Sequence, residues 1–465
     1  MLYDKIKAYA KSGVYPFHMP GHKRQIHDDL LPYDIDLTEI DGFDNLHHPN
    51  GCIRDIEQKA AQLFGVKRAF VLVNGATGGI LAAVRSMTKP GDTVLLARNC
   101  HRAVYHAAEL CGLNAEYIYP QTLNGYPMIY GSITEADVYS ALEAHPDTKL
   151  VIITSPTYEG IGSDMALIAE QCYLHGAQLF VDEAHGAHRY FDRKTVTAMA
   201  GGADASVVSL HKTLPSLTQT ALLLTNNESL IAALQDNLAV FESSSPSYVL
   251  MSSVEQCLDY ILAHSQQFER YEQRLELFYK RTKELKHLRL LYHHLPDDVF
   301  DFDRGKLVIL TAGTNLSGYQ LADALRKQYQ LEIEMAAGDY VIAMSTVCDT
   351  DEGFTRLENA LFAVDKDCIS AEKPLAKDIK TIVLQKAYAS GDCYRHASAV
   401  TALSETAGKV SHEDVFAYPP GIPMVVKGEI ITGEILSAIQ ALEQGGANII
   451  SSRNTYPNGL IVSDL

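Results

Sequence analysis

The chain has 465 residues, with 39 basic and 57 acidic side chains and a net charge of −18. Its 47% hydrophobic and 21% charged content is that of a globular protein and speaks against disorder and fibrous repeats. The length suits roughly two to four domains of about 100–200 residues, and the acidic balance argues against a nucleic-acid binder, which needs a basic face.

The start, MLYDKIKAYAKSG, has no continuous apolar core and no small-residue cleavage site, so no secretion signal is expected. The most apolar uncharged stretch, 69–84, is broken by Asn74, Thr77 and glycines, and is too short to span a bilayer. The cysteines at 52, 100, 111, 172, 257, 348, 368 and 393 form no CxxC pair. Scattered thiols of this kind suit a reducing cytoplasm.

In chain order, short apolar runs alternate with longer amphipathic stretches from 69 to 225. The runs are AFVLV (69–73), TVLLA (93–97), LVIIT (150–154), QLFVD (178–182), ASVVS (205–209) and ALLLT (221–225). Continuous apolar runs of this length predict strands buried on both faces, hence an α/β sheet covered by helices. The polar or glycine-rich residues that end each run belong at the ligand crevice of such a sheet. Residues 250–290 read as helical and charged, leaving the large domain. Residues 288–364 read as a smaller α/β unit with strands in LVILTAG (307–313) and DYVIAMS (339–345). SAEKPLAKDIK (370–380) is a polar linker candidate. A last module contains AYPPGIPMVVKGE, whose paired prolines before Gly421 set a rigid turn.

The strongest chemical signal is Ser-Leu-His-Lys-Thr at 209–213, directly after a predicted strand. A strand-end lysine in a crevice is partly desolvated, which lowers its pKa and frees the amine to attack a carbonyl. Lys212 could thus hold an aldehyde as a Schiff base; taken alone, a strand-end lysine is more often a solvated surface residue. Asp182 ends another predicted strand, where a carboxylate is costly unless paired. A pyridinium N–H would pair it; the alternative is a cap for the next helix. His185, three residues on, could face the same pocket. Asn74-Gly75-Ala76-Thr77-Gly78-Gly79 follows a strand and opens a helix, so its N–H groups could cradle a phosphate. It matches neither GxGxxG nor GxxxxGK[ST]. The adjacent His47 and His48 would point to opposite faces of a strand and make a poor joint metal site, so a loop role is expected. Asp182, Glu183, His185 and His188 could mimic a metal cluster, but that reading leaves Lys212 and the glycine-rich turn without purpose. No metal is expected.

Glycine-rich turn, strand-end Asp with a His three later, then Ser-x-His-Lys: this order resembles the fold-type-I pyridoxal-phosphate enzymes. More closely, the sequence resembles the ornithine/lysine/arginine decarboxylase family in its short form, over most of its length. The resemblance rests on Phe17-His18-Met19-Pro20-Gly21-His22-Lys23, Asn74 to Thr77, Ser155-Pro156-Thr157-Tyr158-Glu159-Gly160, Asp182-Glu183-Ala184-His185-Gly186-Ala187-His188, Ser209 to Lys212, and Tyr418-Pro419-Pro420-Gly421-Ile422-Pro423. The N-terminal wing domain of the long members is absent from this sequence, which puts assembly into their large rings in doubt. The implied fold class is α/β, with a large domain on a mainly parallel seven-stranded sheet, a small α/β domain and a C-terminal α+β module. The implied domains are an N-terminal arm and active-site loop (1–60), a cofactor-binding large domain (61–275), the small domain (276–368) and the C-terminal module (381–465).

The resemblance also implies roles. Lys212 would carry pyridoxal 5′-phosphate, Asp182 would keep its ring nitrogen protonated, His101 would stack on the ring, and His185 would sit near the phenolic oxygen. Gly75, Ala76, Thr77, Ser209 and His211 would hold the phosphate. Ser244, within Ser243 to Ser245, would reach a phosphate across a dimer interface, or simply form a turn. His18 and His22 lie in a loop that would fold over the site. The implied reaction is decarboxylation of a small cationic amino acid, with arginine to agmatine favoured and lysine or ornithine open. The expected setting is polyamine synthesis in the cytoplasm, by a homodimer or higher homo-oligomer without nucleic-acid or membrane partners. Glu39, Asp41, Asp44, Glu159 and Glu242 are candidates for reading the substrate's far end. An aminotransferase, a lyase, or a pyridoxal-phosphate-binding protein without turnover are the competing readings; Arg395 and Arg453 are the only arginines after residue 370 to hold an aminotransferase substrate.

Overall fold

The computed structural model describes residues 1–12, 20, 31–192, 195–371, 382–417 and 421–464. The block at 17–23, apart from Pro20, lies outside the described residues, as do Tyr418, Pro419 and Pro420.

The large domain is built on strands β1 (Arg68–Leu72), β2 (Thr93–Ala97), β3 (Asn114–Ile118), β4 (Leu150–Thr154), β5 (Gln178–Asp182), β6 (Ala205–Ser209) and β7 (Ala221–Thr225). They form one sheet in the order β1-β7-β6-β5-β4-β2-β3. β7 is antiparallel to both neighbours, and the remaining pairs are parallel. Every residue of β1, β2, β6 and β7 is buried, because helices cover both faces. Alternation sorts the side chains: Phe70 and Leu72 enter one core, Ala69 and Val71 the other. The first core holds helices Gly75–Met87 and Arg102–Cys111, the second Cys52–Phe64 and Tyr248–Ala263. Five of the six apolar runs coincide with their strands, and β1 starts one residue early at Arg68, which is buried against Glu57 at 2.7 Å. The edge strand β3, Asn-Ala-Glu-Tyr-Ile, escaped sequence reading because an edge strand needs no apolar run; Asn114 is exposed and only Ile118 buried.

The charged stretch over 250–290 is two helices, Tyr248–Ala263 and Ser265–Thr282. The first packs in the large-domain core; Tyr271, Leu275 and Phe278 of the second enter a separate core. That core also takes Leu307 and Ile309 from a four-stranded antiparallel sheet whose central strands are Lys306–Leu310 and Tyr340–Met344. The opposite face, with Val308 and Leu310, packs on Leu123, Met128 and Ile129 of the large domain. The C-terminal module holds two three-stranded sheets and helix Gly433–Gln444.

Candidate active site

The carboxyl ends of β1, β2, β4, β5 and β6 open onto one cavity of about 430 Å³, within the roughly 300–1,000 Å³ range of small-molecule sites. Ala76, Thr77, His101, Asp182, His185, Ser209, His211 and Lys212, all singled out from sequence, line it together.

Lys212 sits in the short helix Leu210–Thr213 that begins where β6 ends. Desolvation holds its amine below its ordinary pKa, partly opposed by Asp182. Asp182 is buried at the end of β5, its Oδ1 accepting from the Ala184 N–H at 3.0 Å. Burial raises its carboxyl pKa, with Lys212 again opposing. A carboxyl so placed is stabilised as an anion by a cationic N–H partner.

His101 caps helix Arg102–Cys111, its Nδ1 accepting from the Ala103 N–H at 3.2 Å. Burial, then Lys212, pushes its pKa down to about 4, so the ring is neutral at pH 7 and carries its hydrogen on Nε2. His211 is held through the same nitrogen in the opposite sense: its Nδ1 donates to the Thr220 carbonyl at 2.9 Å.

The glycine-rich turn is held in three ways. Gly75 has φ +69°, where a side chain is strained. Its N–H donates to Gln219 O at 2.8 Å. Buried Glu242 accepts from the Val73 and Asn74 N–H groups at 3.0 and 3.2 Å. The Ala76 and Thr77 N–H groups then fall in the first helical turn, which has no intrahelical acceptors for them. Beside them, Ser209 Oγ is buried and has no hydrogen-bond partner among the described residues. An orphaned hydroxyl next to a helix N-terminus is what a bound phosphate oxygen would satisfy.

His185 is the most constrained group. Its Nε2 lies 3.1 Å from Lys212 Nζ and its Nδ1 2.8 Å from Lys306 Nζ, and Tyr158 packs on its ring with centroids 4.6 Å apart. Burial and both lysines hold it far below its ordinary pKa, so it is neutral. Sequence reading missed Lys306, because a lysine opening an apolar strand looks like a solvated end.

Other candidates disperse. Asp44 accepts from the N–H groups of Asn45, Asn50, Gly51, Ile53 and Arg54 and so caps a helix. Glu242 holds the turn just described. Glu39 bonds Thr38 and does not line the cavity, nor does Asp41. Of the five acidic candidates only Glu159 lines it, its Oε1 accepting from Tyr340 OH at 2.7 Å. Glu334, unforeseen, lines it as well and accepts from Tyr158 OH. Glu183 turns to Tyr190 OH and the Ala198 N–H, and His188 to Asp303, so the would-be metal cluster diverges. His47 Nε2 meets Ser243 O at 2.8 Å in an exposed loop. Ser244 lies in an exposed turn outside the cavity.

A smaller cavity of about 120 Å³ shares Tyr130, Glu159 and Ile422 with the first and continues to Pro423 and Met424 of the C-terminal module. Arg98, just after β2, ties that wall down. It donates to Pro423 O at 2.5 Å and Met424 O at 3.2 Å, and pairs with buried Glu429 at 3.3 Å.

This sheet, with one antiparallel strand and a lysine-bearing crevice, defines a fold-type-I α/β chain. The constitutive lysine decarboxylase of Escherichia coli superposes with a TM-score of 0.82 at 17% identity, over 99% of this chain and 81% of that one. An alanine–glyoxylate aminotransferase from Nostoc shares the fold over 67% of the chain, with a TM-score of 0.53 at 15% identity. The chain belongs to the Orn/Lys/Arg decarboxylase family: residues 1–303 match its major domain and 370–449 its C-terminal domain. It is 29% identical to an arginine decarboxylase of Halalkalibacterium halodurans over 96% of this chain and 94% of that one. It is 30% identical to an arginine decarboxylase of Bacillus subtilis over 94% of this chain and 92% of that one.

Proposed function

We propose that the protein uses pyridoxal 5′-phosphate to decarboxylate a basic amino acid, and that this amino acid is arginine, yielding agmatine for polyamine synthesis. The observation that carries the reading is the convergence of a desolvated lysine, a buried strand-end carboxyl and an orphaned serine hydroxyl in one cavity. Arginine is favoured because several of the relatives matching nearly the whole chain are named arginine decarboxylases.

The residues fit the cofactor. When bound, it supplies an aldehyde for the amino group and a protonated ring that accepts the electron pair left by departing carbon dioxide. Lys212 would be the amine that attaches to the aldehyde, and Asp182 would keep the proton on the ring nitrogen. His101, neutral, would sit against the ring. Ala76, Thr77, Ser209 and His211 would hold the phosphate, with Gly75 shaping the turn. Lys212 or His185 would return a proton to the substrate's α-carbon. Glu159 and Glu334 supply the negative charge for the far end of the substrate. No arginine lines the cavity among the described residues, and Arg395 lies elsewhere, paired with Asp392 at 2.9 Å. That favours loss of the α-carboxylate over its retention by an aminotransferase.

We further read the chain as a cytoplasmic homo-oligomer of at least two subunits, with Ser244 facing a partner's cofactor. All eight cysteines are unpaired and seven are buried, which suits a reducing compartment. Among the described residues, no helix is long and apolar enough to cross a membrane.

The test is carbon dioxide release from arginine, lysine and ornithine side by side, with Lys212→Ala as control. Arginine should be turned over fastest and the variant not at all. Turnover retained in Lys212→Ala, or keto-acid formation in place of carbon dioxide, would refute the assignment.

A further inference from the structure

Lys306, a fully buried lysine whose ammonium end reaches the site from the small domain, takes no part in that reaction. It opens the strand Lys306–Leu310, and alternation places it on the same face as Val308 and Leu310, towards the large domain. Its stem passes against Gly160, where an added Cβ would lie 2.9 Å from Lys306 Cγ and where φ is +100°. The glycine that ends the Ser-Pro-Thr-Tyr-Glu-Gly block thus makes room for this lysine.

We propose that Lys306 is a positioning residue that fixes His185 as its Nε2–H tautomer and keeps the Lys212 amine in its proton-accepting form. The inference rests on Lys212 being the amine that bonds the cofactor. An ammonium has three donors and no lone pair, while a neutral imidazole has one donor and one acceptor nitrogen. If Lys306 is the charged lysine, its Nζ, 2.8 Å from Nδ1 and 3.0 Å from the acceptor Sδ of Met344, assigns the lone pair to Nδ1. The ring hydrogen is left on Nε2, aimed at Lys212 Nζ at 3.1 Å. Lys212 must then present its own lone pair. Two ammonium groups cannot flank one neutral imidazole, so the three groups hold a single excess proton.

The surroundings decide which lysine holds it. Lys306 adjoins Asp303, whose pKa, against the pull of burial, is held well below the usual carboxylate range by the His188 contact at 3.1 Å and by the nearby Lys306 and Arg189. Glu159 and Glu334 also face Lys306. Lys212 faces Asp182, whose carboxyl burial pushes towards neutrality, together with Glu334. His101 and His211, the other titratable neighbours of His185, add no anion. Burial pushes the Lys306 pKa down to about 8, which still leaves it charged at pH 7.

The experiment is nitrogen NMR of the full chain with labelled histidine, with and without pyridoxal phosphate, the His185 signal being assigned through His185→Gln. At pH 7 the wild type should show a protonated Nε2 and a lone pair on Nδ1, and the preference should fade above about pH 8. In Lys306→Met the ring should become a mixture of tautomers. The pH midpoint for attachment of the cofactor to Lys212, read by absorbance and borohydride trapping, should rise by about one unit, a tenfold change in proton concentration. Lys306→Arg, which keeps a donor, should restore the wild-type tautomer. A protonated Nδ1 in the wild type overturns the proposal even where Lys306→Met fails to fold. So does an unchanged tautomer or an unchanged midpoint in that variant. Borohydride that never labels Lys212 sinks the functional reading instead, a result separate from the tautomer.

Discussion

Glu242 connects stability to the cofactor turn and lends itself to a quantitative test. Its carboxyl is buried, accepts two backbone N–H groups, and has its pKa raised from 4.5 to about 7, chiefly by desolvation. The folded protein thus binds this proton more tightly than the unfolded chain. The resulting stabilisation is complete below about pH 4.5 and is lost as the pH rises through about 7. At about 1.4 kcal/mol per pH unit of displacement, the loss is roughly 3 kcal/mol by pH 8. Glu242→Gln keeps an oxygen for both N–H groups and removes the ionisation. Its stability should lie within about 1 kcal/mol of the wild type at pH 5 and exceed it increasingly towards pH 8, by up to about 3 kcal/mol. Glu57, whose pKa is also raised to about 7, titrates in both proteins and largely cancels in the difference. Urea unfolding of the pair at intervals between pH 5 and 8 measures it. Stability curves that run parallel across that range would refute the argument.

Three further outcomes follow from the site. Ser209→Ala removes the orphaned hydroxyl and should weaken pyridoxal phosphate binding about ten- to a hundredfold, the worth of one hydrogen bond to a charged group; equal affinity in a cofactor titration counts against Ser209 as a phosphate ligand. Asp182→Asn should leave borohydride labelling of Lys212 intact while turnover falls at least about a hundredfold, because only the electrostatic partner of the ring is lost. Arg98→Ala strands buried Glu429 and should cost about 3–5 kcal/mol in denaturant unfolding, with Arg98→Met/Glu429→Leu recovering most of it.

What the sequence disclosed, and what it hid, follows from how each residue signals its surroundings. Strands buried on both faces must be apolar throughout, so β2, β4, β5, β6 and β7 stand out as uninterrupted runs. Lys212, Asp182 and Ser209 are legible because each interrupts or ends such a run with a group that burial penalises. The edge strand β3 carries no such constraint, and the break between the two helices at His264 has no proline or glycine to mark it. Lys306 and Glu334 were hidden for another reason. Both come from the small domain, more than a hundred residues from His185 and Tyr158, and only tertiary packing brings them to the cavity. Among five acidic candidates, sequence could not separate Asp44 and Glu242, consumed by backbone N–H groups, from Glu159, which faces the cavity.

Arg98 explains why the C-terminal module belongs to the site rather than beside it. A guanidinium buried after β2 is tolerable only with its charge and donors satisfied. Glu429, Pro423 O and Met424 O from the module do so, with Tyr105 OH from the adjacent helix at 3.1 Å. The same contacts press Ile422 against both cavities and set one wall of the space beyond Glu159. Lys427 to Glu109 at 2.8 Å and Lys386 to Glu116 at 2.6 Å add attachments at the rim, each worth little alone because it is partly exposed. The buried arginine therefore carries the registration. Arg98 thus fixes the wall formed by Ile422, Pro423 and Met424, and itself lines the smaller cavity beyond Glu159.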